Sequence, residues 1–319
     1  MQVEISELHR NIYFINAPYY DIGVGIIILD EEEKIMIDAA TMEIASKFIM
    51  PSLNKLGITK IDKLLLTHGD HDHVGGAVTL KKIFGAKILA SKTTEEYTKS
   101  PTMAFQKRFG LLTKYLSHEQ ARELENSYYN EREEGFTLDE YLYEDTRFKI
   151  NSHKVIIINM EGHIDGALGF YYEDLKLLIC GDSIQGEGVL SQQFTPFPMY
   201  DNVRKYLDTI VRVKKLDLDK IVCAHPYLPS YSPIVSGKTM KDLINKSVEY
   251  VNNINNLVFE GINKQKTTLK EITEYVCREM GINIVPTSAF ITIKAHLDDL
   301  CNKSIIRWLD ENGGVFEIL

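Results

Sequence analysis

Cysteine is scarce in this chain of 319 residues: Cys180, Cys223, Cys277 and Cys301 are all it has, and no two form a CxxC pair. That excludes a disulfide scaffold, and because each lies in an apolar stretch or a helical pattern, reduced core thiols are expected. Positive charge is short as well, with 36 Lys and Arg against 45 Asp and Glu for a net charge of −9. Such a balance disfavours a general affinity for phosphate backbones or anionic membranes. Long apolar runs are missing. The stretch from Val24 to Leu29, with Gly25 inside it, is far too short to cross a bilayer, so no transmembrane segment is expected. The start, MQVEISELHRNIYF, has acidic residues where an export signal needs a basic start and an apolar run, so a cytoplasmic location is expected. What is present is a globular composition, 44% hydrophobic and 25% charged, at a length that suits about two domains.

Short β-branched runs, NIYFINA, GVGIIIL and KIMID, separated by turn or charge clusters such as DEEEK, predict an antiparallel strand series over residues 11–38. The helical spacing of Ile44, Phe48, Ile49, Leu53 and Leu56 predicts a helix from Met42 to Leu56 with Gly57 as its stop, then a buried strand from Lys63 to Thr67. A helix over 76–84 and the strand AKILAS close a first half. The second half repeats this grammar with strands VIIINM, ALGFYYED and KLLICGD, a helix over 201–216 and a strand KIVCAH. Strand runs followed by alternating strands and helices fit a layered α/β domain, sheets inside and helices outside. Between the halves, residues 95–145 combine helical pattern, dense charge and nine aromatics, Phe105, Phe109, Tyr115, Tyr128 and Tyr129 among them, and read as an inserted helical cap. Such aromatics either pack an insert onto the body or line a pocket beneath it.

After His225 the pattern changes to helices over 235–262, 267–280 and 287–301. A terminal hairpin follows in SIIRWLDENGGVFEIL, with Asn312, Gly313 and Gly314 at its turn. This predicts a winged-helix-like module over 231–319 behind a domain over 1–230. With ten Lys and Arg against eleven Asp and Glu from Lys238 onward, the module lacks the positive field of a nucleic-acid reader, and a structural or interface role is expected.

The stretch LLLTHGDHDHVGG, residues 64–76, ends an apolar strand abruptly in His68, Asp70, His71, Asp72 and His73, with Gly75 and Gly76 behind them. Buried imidazoles and carboxylates at this density would stay undersolvated unless a cation neutralised them; the plain alternative is a solvated polar turn. Three later features share the texture: His163 in EGHIDG, Asp182 in LLICGDSI and His225 in IVCAHPYLP. Each stands at or just after the end of a β-like run, where side chains from distant segments can converge. The two glycines let the following helix approach the loop closely.

These motifs resemble those of the metallo-β-lactamase fold superfamily, whose pattern is THxHxDHxGG followed by a Gly-His, a Gly-Asp and a last His, and the likeness covers residues 11 to about 230. The resemblance implies an α/β fold, an αββα sandwich of two mixed β-sheets with outer helices, here carrying the helical insert and the C-terminal module. It implies two divalent metal ions, with His68, Asp70 and His163 holding the first, Asp72, His73 and His225 the second, and Asp182 bridging both. Asp38, ending KIMID, matches a family Asp that supports the ligand loop from behind, and His71 points away from the ions. Asp70 departs from the pattern, which commonly has histidine there. A harder oxygen donor shifts preference toward iron or manganese, with zinc still the first choice.

By the same resemblance a metal-bridged hydroxide, with Asp72 and Asp182 as the catalytic carboxylates, would hydrolyse a small ester, thioester or lactone, as in the glyoxalase-II-like and lactonase-like branches. Met199, Tyr200 and Tyr227, which flank the ligand motifs, are the candidate substrate-binding residues. The alternative expectation is a phosphodiesterase or ribonuclease that grips nucleic acid with the C-terminal module. A diiron redox protein comes after it and would need a flavin domain that no segment after His225 resembles. Expected partners are a small-molecule substrate and a second copy of the chain as a homodimer, with nucleic acid disfavoured and no membrane.

Overall fold

In a computed structural model, which describes every residue except Met1, Gln193, Phe194, Asn312 and Gly313, the apolar runs form two mixed sheets stacked face to face. The first sheet takes seven strands in chain order: β1 (Glu4–His9), β2 (Ile12–Ala17), β3 (Val24–Asp30), β4 (Lys34–Ile37), β5 (Lys63–Leu65), β6 (Lys87–Ala90) and β7 (Glu140–Tyr141). Pairing is antiparallel from β1 to β4 and parallel from β4 to β7. The second sheet is built from β8 (Arg147–Ile150), β9 (His153–Asn159), β10 (Leu168–Tyr172), β11 (Leu177–Gly181), β12 (Lys220–Cys223) and β13 (Ile234–Ser236), lying side by side in that order. Its pairs are antiparallel apart from β11 and β12, which run parallel.

Strands apolar on both faces explain the layering, since successive side chains point to opposite sides. In β3, Ile27 and Leu29 face the second sheet and meet the layer of Val155, Phe170, Ile179 and Val222. Ile26 and Ile28 face outward, into a layer with Ile44, Leu53 and Leu80. Each such side chain contributes about 1.5–3 kcal/mol by leaving water. The outer layer comes from a helical run of three consecutive segments, Met42–Ile44, Ala45–Ile49 and Met50–Lys55, and from the helix Ala77–Phe84. Gly57, at φ 74°, stops the first run in the left-handed region, as its place in the sequence predicts.

The insert forms helices Lys92–Lys99, Pro101–Phe109 and His118–Asn130. Its end differs from a purely helical cap: Glu140 and Tyr141 extend the first sheet as β7, held by Leu142 N donating to Ala90 O and by Ile88 N donating to the Asp139 side chain. On the second sheet's outer side, helices Val203–Lys214, Gly237–Asn263, Leu269–Glu279 and Thr287–Asn302 share one hydrophobic cluster, which includes Ile221, Val251, Ile272 and Leu297. The hairpin pairs β14 (Ile306–Asp310) with β15 (Val315–Ile318). Of its expected turn, Asn312 and Gly313 lie outside the described residues, and Gly314 has φ 69°.

The four thiols are free. Cys180, Cys223 and Cys277 are buried, whereas Cys301, in the last turn of its helix, is only half-buried. No helix among the described residues is long and apolar enough to cross a membrane.

Candidate metal centre

Four strand ends build the site. His68 follows β5 by three residues, His163 follows β9 by four, Asp182 directly follows β11 and His225 follows β12 by two. Because β11 and β12 run parallel with Gly181 opposite Cys223, Asp182 and His225 leave the sheet side by side. Asp70 then turns the loop into the short helix His71–Val74, which carries Asp72 and His73. A Cβ on Gly76 would lie 2.4 Å from Cβ of Ala45 and 2.7 Å from the carbonyl oxygen of Ala39, so glycine there lets the loop seat directly on the neighbouring helix.

All seven side chains, His68, Asp70, Asp72, His73, His163, Asp182 and His225, are buried and come together. Their ligand atoms fall into three groups, each with its atoms within 4.8 Å of one another: His68, Asp70 and His163; Asp72, His73 and His225; and His68, His73 and Asp182. The third group takes one histidine from each of the others and adds Asp182. Asp182 Oδ2 is 3.5 Å from Nε2 of both His73 and His225, and 4.0 Å from Nε2 of His163.

The backs of the rings are fixed by hydrogen bonds. Asp38, held at φ 64° after β4, accepts from Thr67 N at 2.7 Å, from Thr67 Oγ1 at 2.8 Å and from His73 Nδ1 at 2.8 Å. With its hydroxyl proton committed to Asp38, Thr67 Oγ1 accepts from His68 Nδ1 at 2.9 Å. His225 Nδ1 donates to Gly23 O at 2.7 Å, and His163 Nδ1 donates to Met199 O at 2.6 Å. Each of these four histidines therefore turns Nε2 toward the common centre, the tautomer a metal ligand needs. Nε2 of His68, Nε2 of His73 and Oδ1 of Asp182 are buried with no hydrogen-bond partner. An orphaned buried polar atom costs about 1–3 kcal/mol, so three at one point fit a cation rather than a hydrogen-bonded core.

The electrostatics agree. Burial opposes charge on Asp182, yet His225 and His73 outweigh it and hold the carboxyl well below the usual range. Burial likewise opposes protonation of His225, but Asp182 and Asp72 raise its pKa to about 10; His73, beside Asp38, Asp182 and Asp72, is also held well above the ordinary imidazole value. His68 is pushed well down by burial and by His73. In the metal-free protein the surplus carboxylate charge is thus balanced by protons on His73 and His225, which metal ions must displace. Metal binding at neutral pH should release about two protons, and apparent affinity should rise with pH until His225 loses its own proton. Calorimetry in buffers of different ionisation enthalpy measures this, and binding without proton release would place the ions elsewhere.

Asp70 has a partner that the motifs do not reveal. Arg108, from the insert helix Pro101–Phe109 and only 4% exposed, donates from Nε to Asp70 Oδ1 at 2.9 Å and from Nη2 to Asp70 Oδ2 at 3.0 Å. Its Nη1 donates to His163 O at 3.1 Å and to Asp201 Oδ1 at 2.5 Å. A sequence signal for it exists: Arg108 shares the buried face of that helix with Ala104, Phe105 and Phe109, where a cation needs a buried anion. His71 lies to one side, with Nε2 3.2 Å from both Tyr19 Oη and Glu131 Oε2, while Tyr19 Oη donates to Glu131 Oε2 at 2.9 Å.

Above the centre opens a cavity of about 360 Å³ whose floor is Asp70, Asp72, His163, Asp182 and His225. Its walls include Tyr19, Phe109, Tyr128, Val189 and Phe197, so the insert's aromatics serve as core and as pocket lining together. Met199 and Tyr227 lie on the wall. Tyr200 does not: it is fully buried behind, its ring stacked on Tyr206 at 4.6 Å and its hydroxyl 2.8 Å from His296 Nε2. Gln185, which the motifs also do not mark, steadies the loop by accepting from Met199 N at 2.6 Å and donating to Asp182 O at 2.9 Å.

The pattern described as the metallo-beta-lactamase superfamily matches residues 21–225. Hydroxyacylglutathione hydrolase GloC of Haemophilus influenzae is 26% identical over 237 residues, 74% of this chain and 98% of that protein. Hydroxyacylglutathione hydrolase of Bartonella henselae is 25% identical over 209 residues, 65% of this chain and 64% of the relative. In structure, a metallo-beta-lactamase family protein from Thermus thermophilus superposes with a TM-score of 0.72 at 17% identity, over 98% of this chain and all of the other. A beta-lactamase domain protein from Burkholderia ambifaria gives 0.75 at 14% identity, over 99% of this chain and 94% of the other. These two likenesses concern the fold, and they extend across the insert and the C-terminal helices.

Proposed function

Because the chain belongs to the metallo-beta-lactamase superfamily, we propose that its centre holds two divalent ions and hydrolyses a small ester, thioester or lactone. The observation that carries this reading is the set of unpartnered ligand atoms, on His68, His73 and Asp182, beneath an apolar-walled cavity. His68, Asp70 and His163 would hold one ion, Asp72, His73 and His225 the other, and Asp182 both. Zinc is the first choice, with iron or manganese favoured by the extra oxygen donor of Asp70. When bound, such ions lower the pKa of water toward neutrality and polarise a carbonyl oxygen.

The chain's own part is positioning. Asp72 and Asp182 present carboxylates to the cavity, where they hold and orient the attacking water. Asp38 and Thr67 keep His68 and His73 from turning, and aromatic side chains wall the cavity above them. Relatives named as hydroxyacylglutathione hydrolases support a carbonyl substrate.

The test is elemental analysis of protein purified without added metal, joined to an ester and thioester panel with a chelator. Turnover should vanish on chelation and return with zinc, iron or manganese. Turnover indifferent to the chelator, or phosphodiester cleavage with no carbonyl ester cleaved, would overturn the reading.

A further inference from the structure

We propose that the cavity selects a substrate that is uncharged and apolar on both sides of its scissile bond, and that it rejects the glutathione thioesters named for its relatives. The inference rests on the hydrolase reading above and concerns what that site admits.

Among the described residues that line the cavity there is no lysine and no arginine. Gln193 and Phe194, which lie outside the described residues, carry no charge by their identity. Arg108 is already occupied by Asp70, Asp201 and the His163 carbonyl, and His71, which does line the cavity, is paired with Glu131 at 3.2 Å, so neither offers a free charge to an anion. At the mouth stands the carboxylate of that pair. Tyr19 and Tyr20 both donate to Glu131, and Tyr20 is 51% exposed, so a carboxylate stands behind the entrance tyrosines.

Glutathione brings two carboxylates and one ammonium, a net negative charge, and each carboxylate that is buried needs a paired donor or cation. One positive pole lies near the rim, the N-terminus of helix Thr287–Asn302, whose Thr287 and Ser288 line the cavity. That pole amounts to about half a charge and fades within a turn, too little for two carboxylates. The apolar walls, by contrast, match an alkyl or aryl group. The volume, about 360 Å³, is at the lower end of ordinary ligand pockets of roughly 300–1,000 Å³.

The test compares matched pairs on the metal-loaded protein. The same hexanoyl group is presented as a thioester of N-acetylcysteamine, which is neutral, and of glutathione. Binding is measured separately by calorimetry with the uncleavable thioethers S-hexyl-N-acetylcysteamine and S-hexylglutathione. The neutral thioester should have the higher kcat/KM by at least ~100-fold, the neutral thioether should bind more tightly, and Leu124→Lys at the cavity wall should narrow both gaps. Equal or better binding and turnover of the glutathione compounds would overturn the specificity while leaving the hydrolase reading intact. Cleavage of neither thioester, with binding of neither thioether, would overturn both.

Discussion

Asp182→Ala should lower turnover by at least ~10³-fold, about 4 kcal/mol of transition-state stabilisation, while the protein stays folded. Asp182 is the carboxylate that the other ligands surround, with Oδ2 3.5 Å from Nε2 of both His73 and His225 and Oδ1 buried without a partner. Its side chain braces the ligand cluster and not the layers of the sandwich. Removing it takes away a buried anion, not an apolar contact. Circular dichroism should therefore be unchanged, whereas elemental analysis should find less metal per chain. A second readout is independent of turnover. In metal-free protein His225 owes its pKa of about 10 to Asp182 and Asp72 acting against burial, so it should titrate lower in the variant by NMR. Asp72→Ala should act in the same direction on turnover. Variants that kept full, metal-independent activity would remove these carboxylates from the mechanism.

The site was readable in the sequence to the extent that its chemistry is local. Five metal-capable side chains crowd the end of β5, and His163, Asp182 and His225 each sit within four residues of a strand end, where a sheet gathers distant segments into one rim. Hydrophobic period did the same for the layers: Ile26 and Ile28 alternate with Ile27 and Leu29 onto opposite faces of β3. What escaped depends on tertiary geometry. Arg108 is 38 residues from Asp70 and reaches it only because the insert folds back over the strand ends. Tyr200 neighbours Met199 in the chain, but consecutive side chains diverge, and its ring turns into the core while Met199 reaches the cavity. Glu131 is one acidic residue in a charged helix end, and nothing in its sequence context marks it as the partner of Tyr19, Tyr20 and His71.

The pair Asp70 and Arg108 leads to the second large effect. Where the superfamily pattern commonly has a neutral imidazole, this chain buries an anion, and the insert supplies the guanidinium that compensates it. Burial works against the charged form of Asp70, but Arg108 first, and His163 and His68 after it, hold its carboxyl well below the usual range. Arg108→Ala would leave Asp70 and Asp201 without their counter-ion, and breaking a buried pair from one side costs about 3–5 kcal/mol. Urea denaturation of the metal-free protein should register that loss. Burial already holds Asp201 above the ordinary carboxylate value with Arg108 beside it, and without Arg108 it would lie higher still, while Asp70 would lose the largest of the groups that hold its carboxyl down. The deficit should therefore shrink as pH falls and grow as pH rises through the range in which these carboxyls titrate. Adding Asp70→His restores a neutral nitrogen donor and removes one of the two stranded anions, so the double variant should recover much of the lost stability and bind metal better than Arg108→Ala alone. Additive losses in that cycle would mean that the two residues do not act as a unit. A loss under about 1 kcal/mol for Arg108→Ala would mean that water, rather than the insert, compensates Asp70.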